Sequence, residues 1–261
     1  MPRFLIWKHL PWQGNRLRAL PDLSGCARLH TLNASDNLIA ALPTGMCDCG
    51  ALRTLNLSRN RLRALPDAIG RLHSLRTVGL GANRLARLPD SLGGLRALRT
   101  LQLGENRLSA LPPSLGDCAA LEDLGLAQNR IAALPPSIAQ LARLRSLVLA
   151  AGRFASLPDA VGALASLAQL ELSGSELTTL PAAEGLLPLL HPLRASDNRL
   201  AALPAELGAL PRLEALRVDG NQLRELPEAL CAATTLRELW AGANLLRALP
   251  AAIGELKGVH T

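Results

Sequence analysis

A period of 23 residues governs this chain. Counted from Leu29, ten successive blocks of 23 residues fill 29–258 with neither gap nor insertion, and a block one residue shorter, Trp7–Arg28, precedes them. Units this short cannot each close a core, so neighbours must stack on one another. Within the block, apolar residues recur at positions 1, 4, 6, 11, 14, 18 and 21; one example is Leu52, Leu55, Leu57, Leu62, Leu65, Ile69 and Leu72. Position 9 is Asn in nine of the eleven blocks, and position 15 is Pro in all eleven, from Pro21 to Pro250.

That spacing dictates local structure. Apolar positions 4 and 6 alternate with small or polar residues at 3, 5 and 7, which is the period of a strand with one buried face. Proline at 15 stops the strand and sets φ near −65°. Beyond it, Asp67-Ala68-Ile69-Gly70-Arg71-Leu72 puts Ile69 and Leu72 three apart, on one side of a 3₁₀ or loose helical turn. Hydrophobic residues make up 49% of the chain and aromatics 2%, so Leu and Ala must fill the core. This apolar content excludes a disordered chain. No apolar run approaches the 18 residues of a membrane span, and no membrane partner is expected.

The pattern LxxLxLxxNxLxxLPxxIGxLxx resembles the leucine-rich repeat, in the 23-residue form of Shoc2-like, plant intracellular Ras-group and many bacterial proteins. The resemblance runs over 7–258. It implies an α/β fold: a right-handed solenoid, or horseshoe, with a parallel sheet on the concave side, short helical or 3₁₀ turns on the convex side, and a ligand held on the concave side. It also implies that Asn15, Asn37, Asn60, Asn83, Asn106, Asn129, Asn198, Asn221 and Asn244 form an inward ladder bonded to neighbouring backbone. A buried amide needs such partners. The expected organisation is an N-terminal cap with a degenerate first repeat over 1–28, ten repeats over 29–258, and a remnant at 259–261. Trp7 and Trp12, with Phe4 and Ile6, are expected to close the N-terminal column. The last repeat, 236–258, is expected to expose its leucines and so to fray or associate end to end.

Catalytic signatures are missing from the sequence. It contains no GxxxxGK[ST] loop, no GxSxG elbow and no kinase motif. His9, His30, His73, His191 and His260 share no metal-ligand spacing. The chain therefore reads as a non-enzyme without cofactor or metal. Five cysteines, Cys26, Cys47, Cys49, Cys118 and Cys231, make an odd set. The N-terminal apolar run is too short for a signal-peptide core, so reduced thiols in the cytoplasm are expected. The net charge is +7, from 28 Lys and Arg against 21 Asp and Glu. With no aromatics interleaved among the basic residues, this charge does not indicate nucleic acid.

Binding should then fall to the exposed strand positions. The position-5 row runs Asn33, Asn56, Gly79, Gln102, Gly125, Val148, Glu171, Arg194, Arg217, Trp240. Its first half is neutral and its second half charged, ending at a tryptophan. Arg and Trp are favoured interface anchors, so Val148, Glu171, Arg194, Arg217 and Trp240 are the candidate partner site. A plain cross-strand pairing of Glu171 with Arg194 competes with this reading. At position 10, Arg61, Arg84, Arg107, Arg130 and Arg153 form a column that reads as side chains fanning into water. Gly152 and Ser175 break the asparagine rule, and Glu184 replaces an apolar residue, so 150–190 is expected to be the softest stretch.

These observations point to a protein-interaction scaffold. The alternatives are the recognition subunit of a signalling system whose kinase, ubiquitin ligase or small GTPase is a separate chain, and a bacterial effector acting in host cells.

Overall fold

The computed structural model describes residues 7–181 and 187–256. The chain divides into two compact units, Met1–Arg130 and Ile131–Thr261. In the first, β1 (His9–Pro11), β2 (Thr31–Asn33), β3 (Thr54–Asn56), β4 (Thr77–Gly79), β5 (Thr100–Gln102) and β6 (Asp123–Gly125) pair in chain order, all parallel. The second does the same with β7 (Ser146–Val148), β8 (Gln169–Glu171), β9 (Pro192–Arg194), β10 (Ala215–Arg217) and β11 (Glu238–Trp240). Each strand is three residues long. Its middle residue faces the core, and its outer two, positions 3 and 5, face away from it. Register never slips, so Thr31, Thr54, Thr77 and Thr100 stand in one row. Equal block length enforces this, because a one-residue slip would turn every leucine outward.

Proline at position 15 has a specific task. Pro43, Pro89, Pro112, Pro135, Pro158, Pro204 and Pro227 each precede a 3₁₀ turn, with φ between −65 and −74°. The proline carbonyl accepts the turn's first bond, as from Leu92 N at 3.0 Å to Pro89 O, and its missing N–H leaves no donor stranded. The glycine that often follows at position 19 permits close stacking. A Cβ on Gly93 would lie 2.5 Å from the Ser114 carbonyl of the next repeat.

The residue at position 8 is left-handed in every repeat. Asp36, Arg59, Ala82, Glu105, Gln128, Ala151, Asp197 and Ala243 have φ of 50–57°, and Gly14, Gly174 and Gly220 have 66–68°. This twist aims the following asparagine into the stack. Asn60 shows the pattern: its Oδ1 accepts the Ile39 N–H of the preceding repeat at 2.9 Å. Its Nδ2 donates back to Ala34 O at 2.9 Å and within its own repeat to Leu57 O at 3.0 Å. Asn37, Asn83, Asn106 and Asn129 repeat these bonds in the first unit, and Asn198, Asn221 and Asn244 in the second.

Asn15 departs from the expected ladder. It is exposed and bonds only locally, to Trp12 O and Gln13 O, because no described repeat lies before it to bridge. Gly152 departs for a different reason. Phe154, at position 11 where other repeats carry Leu or Ile, is 2% exposed, and its Cε2 lies 2.5 Å from where a Gly152 Cβ would be. The ring thus fills the space of the absent amide. Ser175 compensates only in part, its Oγ accepting the Gly152 N–H at 3.3 Å. The expectation for Glu184 lies outside the described residues, as do those for Phe4, Ile6 and 259–261.

At the described ends, Leu10 is buried while Trp7 is 41% exposed. In the last repeat Leu236 is buried, the core-position Leu239 and Leu246 are half-buried and Leu249 is 60% exposed, while Leu245, 56% exposed, stands at position 10, where most repeats carry Arg.

Candidate functional site

The second unit places the five candidate residues in one unbroken row. Register pairs Val148 with Glu171, Glu171 with Arg194, Arg194 with Arg217, and Arg217 with Trp240. Strand spacing of about 4.8 Å makes consecutive members direct neighbours. Val148, Glu171, Arg194 and Arg217 each follow a buried leucine, so the core fixes where they point, and Trp240 follows the half-buried Leu239.

The row's electrostatics are resolved in pairs. Arg194 Nη1 lies 3.9 Å from Glu171 Oε2, a loose contact, while Glu171 Oε1 accepts the Ser173 N–H at 3.0 Å. The adjacent arginine does not share that carboxylate. Arg217 Nη2 bonds Glu238 Oε2 at 3.2 Å, and its guanidinium carbon stands 5.3 Å from the Trp240 ring centroid. Its Nε is buried without a hydrogen-bond partner. Asp219, at position 7 of the same strand region, accepts the Ser196 hydroxyl at 2.7 Å and pairs with neither arginine. Exposed ion pairs of this kind contribute about 1 kcal/mol or less. The cation–π contact adds a similar amount.

These contacts therefore orient side chains more than they stabilise the fold. Trp240 is 51% exposed. It is held from one side by Arg217, and its remaining surface faces solvent. Glu238 is the residue that the row-by-row sequence reading underrated. It sits at position 3, and the diagonal from position 3 of one strand to position 5 of the previous one is the signal that finds it.

The other candidates stay separate. Arg61, Arg84, Arg107, Arg130 and Arg153 are all exposed, and none forms an ion pair among the described residues. The five cysteines are free and buried. Burial lifts the Cys49 thiol to about 12 and that of Cys118 to about 11, which removes them as nucleophiles at neutral pH. Among the described residues no group of three or more His, Cys, Asp or Glu is placed to hold a metal ion, and no helix is long and apolar enough to cross a membrane.

Comparison with known families and structures agrees with this architecture. A leucine-rich repeat model matches residues 27–85, and a leucine-rich repeat region model matches 91–189. A leucine-rich repeat protein of Leptospira interrogans is 29% identical with a TM-score of 0.87, over 94% of this chain and 69% of that one. A leucine-rich repeat ectodomain of the Arabidopsis thaliana receptor kinase GASSHO1/SCHENGEN3, solved with Casparian strip integrity factor 2, is 25% identical with a TM-score of 0.72. That match covers 93% of this chain and 36% of the receptor chain. The plant peptide hormone receptor RGFR1, solved with RGF2, shares the fold at 24% identity and a TM-score of 0.80, over 97% and 46% of the two chains. No curated protein matches the chain. The chain is a leucine-rich repeat protein, and its fold is the leucine-rich repeat solenoid. Such folds generally mediate protein–protein interaction and are typically scaffolds without catalytic activity.

Proposed function

We propose that the protein is a non-enzymatic interaction scaffold that binds another protein through the position-5 row of its second unit. One observation carries this reading: Trp240 is half exposed yet pinned by Arg217, itself held by Glu238. An aromatic ring oriented in advance loses little conformational freedom on binding. Arg and Trp are also the residue types that dominate interface energies. Val148 supplies a partly exposed apolar neighbour at the other end of the row. The two plant receptor structures, each solved with a partner, support protein recognition by this fold.

A reducing, cytoplasmic location is part of the proposal, supported by five buried free thiols. Service as the recognition subunit of a signalling system, or as a bacterial effector, remains a compatible use of the same surface. The exposed Leu245 and Leu249 support a second contact, end-to-end self-association, which light scattering tests by a concentration-dependent mass that Leu249→Glu abolishes.

The principal test is affinity capture with wild type and an Arg194→Ala/Arg217→Ala/Trp240→Ala variant, beside an Arg61→Ala/Arg84→Ala control. Loss of specific partners from the triple variant alone is the expected result. Retention of every partner would remove this surface from consideration.

A further inference from the structure

The first unit carries a separate column of charge just before its strands. Position 2 reads Lys8, His30, Arg53, Arg76 and Arg99, and ends at Glu122. Arg99 is neutralised there, its Nη1 lying 3.0 Å from Glu122 Oε1. Among the described residues Lys8, Arg53 and Arg76 have no ion-pair partner. In-register strands stack these groups at about 4.8 Å per repeat. Like charges held that close repel one another.

At its N-terminal end this column adjoins the position-3 row. Lys8, His9, His30, Thr31, Arg53 and Thr54 line one open cleft of about 370 Å³. Every one of these side chains can donate a hydrogen bond, and none carries negative charge. His30 Nδ1 is buried with no hydrogen-bond partner. Three other clefts of this unit each include an aspartate beside an arginine: Asp67 with Arg71, Asp67 with Arg87, and Asp22 and Asp48 with Arg71. The cleft at Lys8 has no such internal counter-charge.

We propose that this cleft binds a phosphoryl group presented on an acidic peptide segment, with Arg76 extending the site along the strand edge. A phosphate monoester brings a charge of about −1.5 to −2 and three acceptor oxygens. Two columns of donors on three successive repeats can surround those oxygens, whereas a carboxylate offers only two. Because the cleft is open, a free ion would remain largely hydrated. A ligand that also reaches Arg76 gains a further contact in the same column. This site lies in the first unit and does not depend on the partner row of the second.

The test is fluorescence anisotropy of the full chain with a labelled acidic peptide carrying one phosphoserine, in roughly physiological salt, where exposed charges are screened beyond about 8 Å. Comparison peptides carry serine or glutamate at that residue, and inorganic phosphate serves as competitor. The phosphopeptide should bind at least about tenfold tighter than either comparison peptide, and Lys8→Gln/Arg53→Gln should lower its affinity by about tenfold or more. Arg76→Gln should cost about threefold, and the position-10 control Arg61→Gln/Arg84→Gln nothing. Inorganic phosphate should displace the peptide only at millimolar concentration. Equal binding of the glutamate peptide, equal weakening by the control pair, or inorganic phosphate binding as tightly as the peptide would each overturn the proposal. Circular dichroism melts of the variants, all at exposed residues, confirm that folding is unchanged.

Discussion

Gly152 and Phe154 should be coupled as one substitution. A Cβ on Gly152 would lie 2.5 Å from Phe154 Cε2 and 2.6 Å from Cδ2, where ordinary carbon contacts need about 3.5–4.0 Å. The ring is fully buried, so it must move about 1 Å within a packed core. Overpacking of that degree costs about 1–3 kcal/mol, and the larger Asn side chain places Gly152→Asn at the upper end. Phe154→Leu alone empties part of the ring's volume and should cost about 1–2 kcal/mol. Together the two changes recreate the arrangement around Asn129, whose Oδ1 accepts Leu108 N–H at 3.0 Å and whose Nδ2 donates to Leu126 O at 2.9 Å. The new asparagine would bond Ile131 N–H and Leu149 O in the same way. The double variant should therefore be about as stable as wild type, giving a coupling energy of about 4–5 kcal/mol, the sum of the two single costs. Independent sites add to within about 0.5 kcal/mol. Urea denaturation of the four proteins, followed by circular dichroism, measures the cycle. Additivity within that margin would refute the claim that the ring replaces the amide.

Three further outcomes are expected. Asn106→Ala strips the cap from Leu85 N–H and the bonds to Leu80 O and Leu103 O, so it should cost about 2–3 kcal/mol in urea, while Asn15→Ala should cost less than about 0.5; equal effects would contradict the ladder. Ala82→Gly relieves a left-handed residue at φ 54° and should stabilise by about 1 kcal/mol, raising Tm by roughly 2–4 °C; a lower Tm would count against the strain. Burial lifts Cys49 from 9.0 to about 12 and Cys118 to about 11, so between pH 9 and these values the folded chain holds protons that the unfolded chain has released. Stability should fall as pH rises through that window and be unaffected below it. Cys49→Ala/Cys118→Ala should flatten the decline in thermal melts at pH 8, 10 and 11, and an unchanged slope would sink the assignment.

The strands, the turns after proline and the leucine core were legible because each depends on apolar spacing, which recurs at every repeat. The alignment of the position-5 row was legible for the same reason: equal block length places Val148 through Trp240 side by side. What the residues concealed is backbone. Position 8 is occupied by Asp, Arg, Ala, Glu, Gln and Gly, yet all share one left-handed conformation, and Ala151 and Gly174 keep it although Gly152 and Ser175 follow them, so the turn out of the strand sets the twist whatever side chain comes next. Which acid pairs with which arginine was equally hidden. Glu238 engages Arg217 along a diagonal, and Asp219 turns to Ser196. The stretch at 150–190 reads as soft from residue identity alone, whereas at Gly152 within it the ring of Phe154 occupies the space the missing amide leaves. The basic column before the strands was present in the same alignment of blocks, at a position that carries no core residue.

The asparagine bridge has a consequence for how such an array changes length. From Asn60 onward each amide grips the turn before it at a separation of 21 residues, as from Asn60 to Ile39 and from Asn83 to Leu62. Whole turns can be added or removed inside the stack while every clasp closes on an equivalent neighbour. Asn37 still closes on Leu17 across 20 residues, so the clasp tolerates a turn one residue shorter, provided the strand register that keeps the leucines inward is held.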